Sequence, residues 1–265
     1  MLENYKLLKM GNLLSLNKDV LRYLYKNLQK ADRDCLTRSV GVELYPDDCL
    51  AFFSISNGYI NRLEYLRSRG YVFDNADVLN AVSSGQIRSL EYLIEQNCEY
   101  GYLSCSSAAA GGHLDMIKWL VNDGCHLGTW TPLYAALFGH LHILQWLDKR
   151  LIVEDHISLC RFAAQGGHID ILKWLATIED ILFDEDLVAS AAKGGHIHML
   201  KWLKEKNCPM NERATALASL NENLDAIIWL RENGCPWDKW TFIYSKNSKK
   251  PELEKWLRAN DCPEF

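Results

Sequence analysis

The chain has 265 residues, a formal net charge of −5, and a composition that is 48% hydrophobic and 24% charged. That is ordinary composition for a water-soluble chain, and the acidic balance excludes a protein whose main surface tracks the phosphates of nucleic acid, which needs a basic face. Nine cysteines, an odd number, exclude a fully paired disulfide framework and predict reduced thiols in a cytoplasmic setting.

The first residues, MLENYKLLKMGNLL, scatter charge and lack an apolar core ending in a small-residue cleavage site, so no signal peptide is predicted. No apolar run approaches the roughly 20 residues that cross a bilayer, and no membrane contact is expected. Residues 1–47 read as a helical N-terminal module, and two readings fit LNKDVLRYLYKNLQKADRDCL at 16–36. In one, Asn17 to Leu24 aligns with HLDMIKWL at 113–120, and the module is a divergent cap repeat; this requires an insertion, because the next aromatic-Leu pair falls 42 residues on. In the other, Leu16, Asp19, Val20, Leu21, Leu24, Leu28, Asp32 and Leu36 resemble the register of an F-box. That family docks on the Skp-type adaptor of cullin–RING ubiquitin ligases. The resemblance implies adaptor contact through Leu16, Val20, Leu21 and Leu24 within residues 13–45. Asn17 stands where the family has proline, Arg33 where it has leucine, and no tryptophan closes the motif.

From residue 48 onward the chain repeats itself. An aromatic residue followed by Leu recurs at Tyr65, Tyr92, Trp119, Trp146, Trp174, Trp202, Trp229 and Trp256, in steps of 27 or 28 residues. The phrases AAAGGHLDMIKWL, AAQGGHIDILKWL and AAKGGHIHMLKWL, beginning at 108, 163 and 191, show what each unit contains. An alanine pair lies in a short first helix, where small side chains permit close packing. Gly112, Gly139, Gly167 and Gly195 end that helix, since glycine takes the left-handed conformation without steric penalty, and His follows each directly. An amphipathic second helix comes next, with Asp115, Asp170 and Asp225 in its first turn, where a carboxylate complements the helix dipole. Two such helices cannot bury both apolar faces alone; stacked neighbours bury them, which predicts an all-α solenoid of about eight units.

The stretch WTPLYAALFGHLHILQWL at 130–147 resembles the ankyrin repeat, whose signature is Thr-Pro-Leu-His-x-Ala followed by Gly-His and an apolar helix. Units of 27–28 residues depart from the family norm of 33, and the shortening falls mainly in the hairpin between units. GCPWD at 234–238 is similar to the short variant common in arrays of protists and giant DNA viruses. The resemblance covers residues 48–265 and implies a fold rather than a partner. The last unit, about 237–265, reads as a C-terminal cap: SKNSKK replaces the alanine pair and Gly-His, and Pro251 opens its final helix.

Candidate chemistry is sparse. HLH at 140–142 and HIH at 196–198 pair imidazoles at i and i+2, which point to different sides of a helix, with no third ligand at zinc spacing. His113, His140, His168 and His196 are expected instead to hydrogen-bond backbone groups of neighbouring turns. Cys98, Cys125, Cys208, Cys235 and Cys262 share one repeat position, too far apart between stacked units for disulfides, and read as small apolar residues. The six repeat tryptophans are expected in the core, and FDED at 183–186 as a solvated acidic linker and helix start. No metal, cofactor or catalytic residue is predicted. An enzyme remains only a remote third class.

The expected function is therefore a monomeric, non-enzymatic scaffold that holds a protein partner on the concave side of the stack. The F-box resemblance implies the alternative, a substrate receptor for a Skp–cullin ligase. Residues beside each alanine pair face outward on the first helices, which places the candidate partner site at Tyr134, Leu137, Phe138, Phe162, Gln165 and Lys193.

Overall fold

A computed structural model describes residues 47–150, 155–178, 181, 183–246, 248 and 250–264. Residues 1–46, with the adaptor candidates Leu16, Val20, Leu21 and Leu24, lie outside the described residues. Among those described there are sixteen α-helices and no strand. The chain divides into two compact units, Met1–Gly101 and Tyr102–Phe265.

The first unit contains two helix pairs, α1 (Asp47–Ser56) with α2 (Ile60–Ser68) and α3 (Asn75–Ser83) with α4 (Ile87–Glu95). A capping box opens α3: the Asp74 side chain accepts from the backbone of Ala76 and Asp77, while the Asp77 carboxylate accepts from the backbone of Asp74. The pairs are joined by polar side chains reaching across to backbone. Ser89 donates to the Ile55 carbonyl at 2.9 Å, and Asn80 to that of Phe52 at 2.8 Å.

The second unit contains six pairs: α5 (Ser104–Ala110) and α6 (Leu114–Asn122), α7 (Trp130–Leu137) and α8 (Leu141–Asp148), α9 (His156–Gly166) and α10 (Ile169–Leu175). They continue with α11 (Glu185–Gly194) and α12 (Ile197–Glu205), α13 (Glu212–Leu220) and α14 (Leu224–Glu232), α15 (Lys239–Ser245) and α16 (Pro251–Ala259). Each first helix packs on the next first helix far more closely than second helices pack on each other. The alanine pairs explain this: Ala108, Ala109, Ala135, Ala136, Ala163, Ala164, Ala191 and Ala192 are fully buried, and a methyl group lets two helix backbones approach.

The second helices bury their Leu, not their Trp. Leu120, Leu147, Leu175, Leu203, Leu230 and Leu257 are within 1% of complete burial, while Trp119, Trp146, Trp174, Trp202, Trp229 and Trp256 are half-buried. This corrects the expectation that the tryptophans are core. A half-turn position on the flank suits a ring too large for the space between helices, and there it meets other partners. Phe183 stands edge-on to Trp202 at 5.7 Å and Trp237 edge-on to Trp256 at 6.2 Å. In the first unit Phe73 does the same to Tyr92 at 5.8 Å. Each connector aromatic thus packs on the second helix of its own repeat. Edge-to-face contact at this spacing is a favourable aromatic geometry.

Candidate functional site

The joints between neighbouring repeats of the second unit use one device. His140 Nε2 donates to the Ala110 carbonyl at 3.0 Å and His168 Nε2 to that of Leu137 at 3.1 Å; His196 hydrogen-bonds the Gln165 backbone. In the next joint Asn223 takes the histidine's place and donates to the Lys193 carbonyl at 2.7 Å. In the last, Lys250 donates to the Glu222 carbonyl at 3.1 Å, so at least this lysine of SKNSKK is a joint residue. The paired imidazoles also bond backbone: His142 reaches the Gly112 carbonyl at 3.2 Å and His198 that of Gly167 at 2.8 Å.

Burial lowers the pKa of His140, and burial with the neighbouring His198 lowers that of His196, so both are neutral at pH 7 and each has one N–H to donate. The glycines before them leave room for the rings. A Cβ on Gly139, whose φ is +81°, would meet the His168 ring at 2.5 Å, so both conformation and space demand glycine there.

The stripe Trp130, Tyr134 and Phe138, at i, i+4 and i+8, lies along one side of α7 and its C-cap, as helical periodicity requires. Trp130 stacks on Tyr134 at 5.8 Å, Tyr134 meets Phe138 at 6.3 Å, and Phe162 of α9 stands edge-on to Trp130 at 6.3 Å. Trp130 is 49% and Phe138 51% exposed, while Tyr134 and Phe162 are half-buried beneath them. Of the residues expected at the site, the structure therefore brings Tyr134, Phe138 and Phe162 together. Leu137, Gln165 and Lys193 fall one position after the alanine pair. Their carbonyls are consumed by the joints, and only their half-buried side chains face outward. Trp130 lies outside the positions that flank the alanine pair. The signal was present in the sequence, one helical turn before Tyr134.

The patch has a charged neighbour. Arg161 of α9 pairs with Asp186 of α11 at 2.6 Å and with Asp184 at 3.5 Å, and Arg213 of α13 pairs with the other oxygen of Asp186. Asp184 also caps α11 by accepting from the Leu187 backbone at 3.1 Å. The FDED segment starts a helix as expected, with Asp184 as its cap, but it is not simply solvated: Phe183 packs on Trp202 and Asp186 bridges two arginines. Further along, Trp240 and Tyr244 of α15 repeat the exposed pair at 5.8 Å.

Residues 105–147 match the family model described as ankyrin repeats (many copies). Residues 105–147 carry ankyrin repeats. The match spans α7 with its stripe and the first His joint, and ankyrin repeats are protein–protein interaction modules. Among solved structures, a crystal structure of the human ASB11 ankyrin repeat domain is similar at 17% identity, covering 70% of this chain and 98% of that one, with a TM-score of 0.43. No curated protein matches the sequence. Among the described residues no helix is long and apolar enough to cross a membrane. The first unit has a cavity of about 420 Å³ lined by Gly58, Tyr59, Ile60, Asn61, Arg62 and Arg88. There Arg62 lies over Tyr59 at 4.9 Å.

Proposed function

We propose that the chain is a non-enzymatic scaffold that binds a protein partner on the outward side of its first helices, centred on Trp130, Tyr134, Phe138 and Phe162. The observation that carries this reading is the contiguous aromatic stripe with two half-exposed members. Single exposed apolar residues need no explanation, but a cluster of interlocked rings left half open to water does. Rigid aromatic anchors supply most of the energy in protein interfaces, and the ion-paired Arg161–Asp186–Arg213 row supplies a polar rim. The occupant is a protein segment that presents apolar side chains to the rings, with Gln165 and Lys193 at the edge of contact.

Affinity capture followed by mass spectrometry tests this, comparing the unchanged chain with Trp130→Ala/Phe138→Ala and with Trp240→Ala. The expected result is a protein recovered by the unchanged chain and by Trp240→Ala but lost with the double variant. Loss with Trp240→Ala alone would move the site to the last repeat and overturn the reading.

The register of Leu16, Val20, Leu21 and Leu24 supports a second reading, in which residues 13–45 dock on a Skp-type ligase adaptor and the stack holds the target. A chain lacking residues 1–47 decides it. Adaptor and cullin recovered only with the full chain support the receptor. Their absence from both leaves the plain scaffold, acting in the cytoplasm.

A further inference from the structure

We propose that Cys105 and Cys125 form an oxidisable dithiol that closes to a disulfide within a single repeat. Cys98, Cys125, Cys208, Cys235 and Cys262 occupy the turn after the second helix in five of the repeats, and the residues 20 positions earlier, on the first helix of each, are Val78, Cys105, Val188, Thr215 and Phe242. Only one of these five pairings places sulfur against sulfur, and there the Cys105 and Cys125 Sγ atoms lie 3.2 Å apart. Two other turn thiols have a close backbone acceptor: Cys208 donates to the Asp184 carbonyl at 2.9 Å and Cys235 to that of Asn211 at 3.2 Å. Burial pushes these two thiols up to about 12 and about 11 respectively, which keeps them protonated.

The two sulfurs of the pair differ in access. Cys105 is fully buried, while Cys125 is half-exposed. A disulfide needs an S–S distance of about 2.05 Å, so the sulfurs must close by about an ångström. Cys125 lies between the end of α6 at Asn122 and the start of α7 at Trp130, where a turn can move without disturbing a helix. Burial, with the facing Cys125, holds the Cys105 thiol well above its ordinary range, so the first attack falls to Cys125.

With a peroxide as oxidant, the Cys125 thiolate sulfur attacks one oxygen, the O–O bond breaks, and the leaving hydroxide takes a proton to become water. The Cys105 sulfur then attacks the resulting sulfenic sulfur; the S–S bond forms, the S–O bond breaks, and the departing hydroxide takes the Cys105 proton. Two thiols lose two electrons and two protons, and one peroxide becomes two waters.

The test treats the folded full-length chain with hydrogen peroxide, then blocks the remaining thiols and maps peptides without reduction. The expected product is one linkage between Cys105 and Cys125, with a loss of about 2 Da that dithiothreitol reverses. Cys105→Val, the residue that Val78 and Val188 show to be accommodated at this position, should give no linkage and leave Cys125 to proceed to the sulfinic acid. Linkage of Cys125 to any other cysteine would overturn the proposal. So would a 105–125 linkage that forms only in denaturant, or a Cys125 that oxidises with Cys105 present yet stays unlinked.

Discussion

Two sides of the same six-repeat unit obey opposite rules. At the joints one solution recurs: His140, His168, His196, Asn223 and Lys250 each donate to backbone in the preceding repeat. On the outward side of the first helices no residue is kept from repeat to repeat, and the Trp–Tyr pair of α7 returns only in α15. The position five residues before the alanine pair is Trp130, then Ser158, Asp186, Arg213 and Trp240. The joint must satisfy a carbonyl and a close backbone approach at every step, so its chemistry is restricted to donors of suitable reach. The outward side has no such common requirement: Asp186 and Arg213 serve an ion-pair row there, while Trp130 belongs to a half-exposed stripe of interlocked rings.

If that contrast is right, breaking a joint costs stability and breaking the patch costs binding. The largest effect is expected at Gly194, where a Cβ would run into the Gln165 carbonyl of the preceding repeat. Gly194→Ala should lose on the order of 3 kcal/mol by urea unfolding. Gly124→Ala, whose Cβ would meet nothing within 4 Å, should lose only about 1 kcal/mol, the strain of its left-handed backbone. Equal losses would mean that close approach at the joints is not what the glycines serve.

Next comes the patch. Trp130→Ala/Phe138→Ala should weaken partner binding by about 2 kcal/mol or more, roughly 30-fold, while the thermal midpoint stays within a few degrees. A variant that unfolds would make these rings structural.

The joints also predict a pH dependence. His140 and His196 have pKa values lowered in the folded state from the ordinary 6.5, so the unfolded chain binds protons more readily. Stability is complete above pH 6.5 and falls as the pH drops below it through the lowered values. His140→Asn/His196→Asn, copying Asn223, should keep most of the stability at pH 7 and flatten that decline. A decline of unchanged steepness would assign it to other groups.

The smallest effect is expected at Asp186. Its arginine partners are 40% and 60% exposed at their side chains, and exposed pairs contribute about 1 kcal/mol or less. Asp186→Asn should shift the unfolding midpoint barely, most visibly at low salt.

The sequence by itself determined the repeat and most of its local structure. The 27–28-residue beat, the alanine pairs, the left-handed glycines and Pro251 at the start of α16 are all periodic or local signals, and each appears where the spacing places it. The joint role of His140 and His168 was legible too, because a histidine recurring after every such glycine has a structural task. The candidate patch was half legible: Tyr134, Phe138 and Phe162 were found beside the alanine pairs. Only the tertiary structure decided the rest. It added Trp130, which becomes part of the patch through a ring in the next helix. It moved the repeat tryptophans out of the core, because the space between stacked helices is filled by Leu and by residues such as Met116 and Ile117. And it set Cys105 against Cys125, whose 20-residue separation means nothing until a helix pair folds back on itself. Periodicity reports which face a residue shares with its neighbours along the chain. Which partner stands opposite that face depends on how helices distant in sequence approach each other.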